Sequence, residues 1–164
     1  MTGVSMESSA AQTLPTQTQG APLAKYAASR RVGDYIFLSG VIAVDPQNKV
    51  IVNGFDDIPA EAAQWIGQTG EFSTDYKIGP ILAQSWYVLN AIRGHIEAQG
   101  GQMSDVFKLV QYFRNVDHFP YYSQVRQLFF PDQAPVSTVV EVSAMMPSKA
   151  ILVEVEATAY LPLG

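Results

Sequence analysis

Two glutamates set two apart in an apolar run, Glu154 and Glu156 within Ile151 to Tyr160 (ILVEVEATAY), are the residues best suited to acid or base chemistry in this chain. Side chains alternate along a strand, so the two acids share one face while Ile151, Val153, Val155 and Ala157 share the other. A carboxylate on a half-buried strand costs solvation, and its presence calls for a partner or a task. The alternate-residue spacing, roughly 6.5–7 Å, resembles that of acid/base carboxylate pairs, but any Glu-x-Glu strand has it. Glu156 is either a general base or water-orienting group, favoured by a raised pKa, or a structural carboxylate accepting hydrogen bonds. Glu154 reads as exposed or paired with a lysine, and no chemistry is assigned to it.

Other chemistry-bearing residues are sparse. Ser39 has no His–Asp set to make it a nucleophile, so the backbone at Ser39-Gly40 is the better contributor. His95 and His118 lie far apart without ligand-spaced acids, and there is no cysteine. No metal, cofactor, disulfide or thiolate chemistry is expected.

The elements that must carry these residues follow from pattern. The 164 residues, 48% hydrophobic, suit one domain, with residues 1 to about 20, rich in Ser, Thr and Gln, as a tail and residues 21–164 as the folded unit. A formal charge of −5 with ten Lys plus Arg disfavours nucleic acid as a partner. No run approaches the roughly 20 apolar residues a membrane span needs. The first twenty residues lack a secretory pattern, so a cytoplasmic protein is expected.

Strands are predicted over Lys25 to Val32 and Tyr35 to Ala43, joined by Gly33-Asp34 in a type II′ turn, with Gly40 permitting a bulge or close backbone approach. Val50 to Val52 forms a short third strand after the Asp45 to Asn48 turn. Asn53 to Pro80 reads as a long irregular insertion, although PAEAAQW can form a helical turn or two. Leu82, Trp86, Leu89, Ile92 and Ile96 predict a helix over Ile81 to Gln99. A strand follows over Val106 to Arg114, with Phe107, Leu109 and Phe113 on one side. Asp117 is expected to cap a second helix carrying Phe119, Tyr122, Val125 and Phe129. Ser137 to Ser143 and Ala150 to Tyr160 complete a ββ(β)αβαββ order, an α+β fold with two helices packed on one sheet face.

The segments VGDYIFLSG, ILAQSWYVLNAIRGHIEAQG, DVFKLVQYFRNVDHF and APVSTVVEVSAMMPSKAILVEVEATA, in this order, resemble the RidA (YjgF, L-PSP endoribonuclease-like) family of enamine and imine deaminases. The resemblance covers Lys25 to Leu161. It implies a chorismate-mutase-like fold, a homotrimer with inter-subunit clefts, and a small-molecule substrate. Carried over by motif, Glu156 is the water-orienting glutamate, Tyr26 the cleft tyrosine, and Ser39 and Gly40 the cleft segment. The family's carboxylate-gripping arginine is absent: Val136 stands in its place, followed by Ser137 and Thr138 in the same substrate-binding segment. Valine supplies neither charge nor donor, a loss of roughly 2–5 kcal/mol for a ligand that needs the clamp. Arg126 or Lys77 is a candidate replacement cation, and a solvated helix position is the plainer reading of Arg126.

Two functions follow. One is deamination of an enamine or imine other than the generic aminoacrylate, with an aminomuconate-type acid as one option. The other is a non-catalytic ligand-binding or regulatory trimer on the same scaffold. The family's ribonuclease label gains no support from the acidic composition.

Overall fold

The computed structural model describes residues 24–164, so the tail expected over residues 1 to about 20 lies outside the described residues. Among the described residues eight strands appear in order: β1 (Ser29–Val32), β2 (Tyr35–Leu38), β3 (Val41–Ile42), β4 (Val44–Asp45), β5 (Val50–Ile51), β6 (Val106–Phe113), β7 (Val136–Glu141) and β8 (Val153–Tyr160). Three α-helices accompany them: α1 (Ala60–Trp65), α2 (Phe72–Glu97) and α3 (Phe119–Phe129).

The main sheet runs β1-β2-β8-β6-β7, with β3 also pairing β8 and β4-β5 forming a separate ribbon. Its pairs are antiparallel except β6 with β7, which α3 connects as a crossover. Gly33 at the β1-β2 turn has a φ of 58°, the left-handed value a type II′ turn needs at its first central residue. The α+β fold expected from the pattern is present.

One sheet face is buried under the helices. Val153, Val155, Ala157 and Ala159 of β8 and Leu109 and Phe113 of β6 join Trp86, Leu89 and Ile92 of α2 and Tyr122 and Val125 of α3 in one core. The opposite face carries, in register, the rows Glu154–Tyr112, Glu156–Val110 and Thr158–Lys108 across β8 and β6. Beside them on β7 stand Val140, Thr138 and Val136.

Several expectations are corrected. The segment from Asn53 to Pro80 is not irregular throughout: it contains helix α1 and the first turns of α2. Phe55, Ile58, Ala62, Ala63 and Ile66 are buried in the main core, where they cover the helices. Helix α2 begins nine residues before Ile81, because the Glu71 carboxylate accepts from the Ser73 and Thr74 amides at 3.1 and 2.7 Å and caps it. Gly79 and Pro80 read as breakers, yet both lie inside the helix. At Gly79 a Cβ would stand 3.2 Å from the Phe55 ring, so glycine there serves close packing.

In β6 a register shift between Val106 and Lys108 turns Phe107 outward and puts Val106 in the core instead. Asp117 does not cap α3. It sits in a 3-10 turn, Val116–His118, whose cap is the Asn115 side chain accepting from the Asp117 amide at 2.9 Å.

Gln84 ties the helix to the segment that leads into β8. Fully buried, its amide donates to the Val52 and Ala150 carbonyls at 2.9 and 2.8 Å, and its oxygen accepts from the Leu152 amide at 2.8 Å. Gln84→Leu leaves three backbone groups unpaired and should cost about 2–4 kcal/mol, given roughly 1–3 kcal/mol for an unsatisfied buried group. Urea unfolding measures this, and an unchanged midpoint would remove Gln84 as a fastening of β8.

Candidate active site

The break between β2 and β3 shapes a recess at the edge of β8 that holds one acid, Glu154. β2 pairs with β8 as far as Phe37↔Thr158, the chain leaves the ladder at Ser39-Gly40, and β3 rejoins β8 at Val41↔Val155 and Ile42↔Glu154. Ser39 anchors the detour: its amide donates to Ala28 O at 3.0 Å and its hydroxyl to Ala27 O at 2.7 Å. Those bonds hold the preceding segment, and with it Tyr26, along the sheet edge.

A cleft of about 390 Å³ opens here, lined by Ala24, Tyr26, Ser39, Gly40, Ile42, Met146, Pro147 and Glu154. Gly40 is required by contact. A Cβ at this position would lie 2.0 Å from Oε1 of Glu154, so the carboxylate packs directly on the glycine backbone. This is the close approach expected of a glycine in that strand.

Tyr26, Ser39 and Gly40 are therefore brought together as expected, but the glutamate among them is Glu154. Glu156 does not line the cleft. It sits two residues along the same face, where the Tyr112 phenol is hydrogen-bonded to it. Burial raises the Tyr112 pKa, and the charges of Glu156 and then Glu154 raise it further. Burial likewise holds the Glu154 carboxyl above the ordinary glutamate range, with the Glu156 charge adding to it. One acid is occupied by a phenol; the other faces the cleft with a raised proton affinity.

The remaining predicted residues lie elsewhere. Val136 is exposed at the start of β7, in the row of Lys108. From Glu154 that is two strands across and four residues along, roughly 16 Å at standard sheet spacings. Ser137 and Arg126 belong to the helix side. The Arg126 guanidinium donates to Gln111 Oε1 and Ser137 Oγ, both at 2.9 Å, and lies 5.5 Å from the Phe119 ring centroid. Arg126 is thus neither a cleft cation nor a solvated residue but a tether between α3 and β7. Lys77 lies on the first turns of α2, outside the cleft lining. Thr138 faces outward beside Val110, in the row of Glu156.

Sequence reasoning missed Ala24, Ile42, Met146, Pro147 and Glu154 as cleft residues. The signal for Ile42 was its place two residues after Gly40. Among the described residues no group of three or more His, Asp or Glu side chains could hold a metal ion, and no helix is long and apolar enough to cross a membrane.

The raised Glu154 pKa has a consequence for stability. A carboxyl that binds its proton more tightly when folded favours the fold below its unfolded pKa, near 4.5, and that contribution is lost as pH rises through the higher folded pKa. Glu154→Gln should therefore be more stable than the parent at pH 7, with the difference vanishing below about pH 4.5. Urea midpoints at pH 7 and pH 4 test this; equal midpoints at pH 7 would mean that Glu154 is not strained by its setting.

The family described as Endoribonuclease L-PSP matches residues 60–161. A solved structure of a protein from Klebsiella pneumoniae that bears an endoribonuclease name is 66% identical, with a TM-score of 0.83 over 84% of this chain and 100% of that one. A RutC family protein from Pyrococcus horikoshii is 28% identical over 88% of this chain and 94% of its own. A protein of Dermatophagoides farinae named 2-iminobutanoate/2-iminopropanoate deaminase is 26% identical over 81% of this chain and 84% of its own.

Proposed function

The chain belongs to the Endoribonuclease L-PSP family, the RidA/YjgF family expected from its motifs, and on that premise we propose that it is an imine or enamine deaminase whose water-orienting group is Glu154. The observation that carries the reading is the packing of the Glu154 carboxylate on Gly40, within a cleft that also holds Tyr26 and Ser39. The deaminase name of the 26% identical relative agrees with it.

In the proposed reaction Glu154 accepts a proton from water as the water oxygen bonds to the C=N carbon. The imine nitrogen takes up a proton, and an enamine reacts after its carbon is protonated to the imine. The resulting carbinolamine loses its C–N bond, nitrogen leaves as ammonia, and the hydroxyl gives up its proton to become the carbonyl. A raised carboxyl pKa suits a group that takes and returns one proton. Tyr26 donates to the departing or attacking heteroatom, and the gain comes mainly from orientation and charge.

Within one copy Val136 and Thr138 stand too far from Glu154 to share a small ligand with it. Their role as substrate-binding residues is proposed to arise in a homotrimer, where one copy's β7 faces its neighbour's cleft. The protein is proposed to act in the cytoplasm on a small molecule, without a cofactor. RNA cleavage fits poorly, since among the described residues the one charged side chain lining the cleft is an acid and repels phosphate.

The test is the rate of ammonia release from imines generated in situ, with and without the protein. Acceleration over buffer is expected, and none across both amino-acid-derived and amine-derived imines would dismiss the activity.

Val136 favours a second reading, a ligand-binding trimer that kept the cleft and lost turnover. Val136→Arg separates the two. On the deaminase reading it should raise kcat/KM for 2-iminobutanoate tenfold or more, about 1.4 kcal/mol. A variant that binds but never turns over supports the binding role.

A further inference from the structure

We propose that the cleft selects imines and enamines bearing no carboxylate next to the C=N carbon, that is, amine-derived rather than amino-acid-derived substrates. This rests on the deaminase reading and names its substrate class.

Charge and hydrogen-bond donors set this preference. Of the cleft's lining among the described residues only Glu154 is ionisable as an acid or base of unit charge near neutrality, and it is negative when ionised. Ile42, Met146, Ala24 and Pro147 supply apolar surface. Ser39 has already committed its amide to Ala28 O and its hydroxyl proton to Ala27 O. The Tyr26 phenol is the remaining neutral side-chain donor. A ligand carboxylate would thus enter beside another carboxylate, exchanging water for apolar contacts and one phenol. An imine protonated on nitrogen meets the opposite situation: Glu154 attracts it, and an alkyl group in place of the carboxylate fits the apolar wall. Aminomuconate-type acids are disfavoured by the same reasoning.

Two cations on this sheet face stand as rival sources of a grip, Lys108 and Arg30, which shares the Thr158 row through Phe37. Lys108 is the register partner of Val136 and Thr158, and it is the basic residue in the outward rows of β6, β7 and β8. In its own copy it lies four residues along β6 from Tyr112, the partner of Glu154, so roughly 13 Å separate the rows. A Lys108 that grips a ligand at Glu154 therefore has to come from another copy.

The experiment compares two carbonyl probes that differ by methyl for carboxylate, butanone and 2-oxobutanoate, binding to the full chain by ligand-observed NMR titration. The matching imines, from butan-2-amine with an amine oxidase and from 2-aminobutanoate with an amino-acid oxidase, are assayed for hydrolysis in parallel. Butanone should bind at least tenfold more tightly. Glu154→Gln should narrow the ratio to within threefold, and Lys108→Met should leave it unchanged. Equal or tighter binding of 2-oxobutanoate overturns the proposal, and loss of that binding in Lys108→Met would assign the grip to a neighbouring lysine. Absence of binding by both probes also overturns it. Preference for butanone without accelerated hydrolysis of either imine would uphold the ligand class and remove the deaminase reading. Accelerated hydrolysis of 2-iminobutanoate with preference for 2-oxobutanoate would do the reverse.

Discussion

Glu154→Gln should lower imine hydrolysis by about 100-fold or more, the scale of a lost general base, while Glu156→Gln should retain activity within about tenfold. The two substitutions are chemically identical and lie two residues apart on one strand face. What separates them is the environment: Glu154 lines the cleft and packs on Gly40, whereas Glu156 accepts from the Tyr112 phenol. Glu156→Gln carries a further signature. Its charge contributes to the raised Glu154 pKa, so its removal should move the acidic limb of the pH–rate profile to lower pH. Rates over pH 4–8 for both variants would show it. Equal losses in the two variants would reject the assignment of the base to Glu154.

Gly40→Ala is expected to lower activity by about 100-fold, the cost of misplacing a catalytic group by an ångström or so. Its new methyl carbon would stand 2.0 Å from Glu154 Oε1, well inside any permitted contact. The carboxylate is the end of a flexible side chain, so it can swing aside, and the fold should lose little. Gly40 has no left-handed φ that alanine could not adopt. Full activity combined with an unchanged unfolding midpoint would show that the carboxylate position seen here is not the working one.

These outcomes depend on features that differ in how plainly the sequence displays them. The Ile81 to Gln99 helix and the buried alternation of β8 were legible, because Trp86, Leu89, Ile92, Val153 and Val155 recur at the spacings of their elements. The nine residues before Ile81 were not. Gly79 and Pro80 carry the local chemistry of a helix stop, and only capping by Glu71 and packing on Phe55 override it.

The fold family was visible in the order of motifs, and Tyr26, Ser39 and Gly40 were brought together as expected. Choosing between Glu154 and Glu156 was a different problem. Alternation puts both on one face, and only the pairing of Ile42 with Glu154 across the break after Leu38 decides which one meets the cleft. That register is a long-range property with no local signature. The same holds for Phe107, turned outward by a bulge, and for Arg126, whose partners Gln111 and Ser137 lie on two other elements.

The account's central claim, that chemistry takes place against Glu154, is tested most directly by a crystal structure with a bound carbonyl product such as butanone. The carbonyl carbon is expected over Gly40, one water's reach from the Glu154 carboxylate, with the Tyr26 hydroxyl within hydrogen-bonding distance of the carbonyl oxygen. A ligand seated instead at Glu156 and Tyr112, or away from both acids, would contradict it.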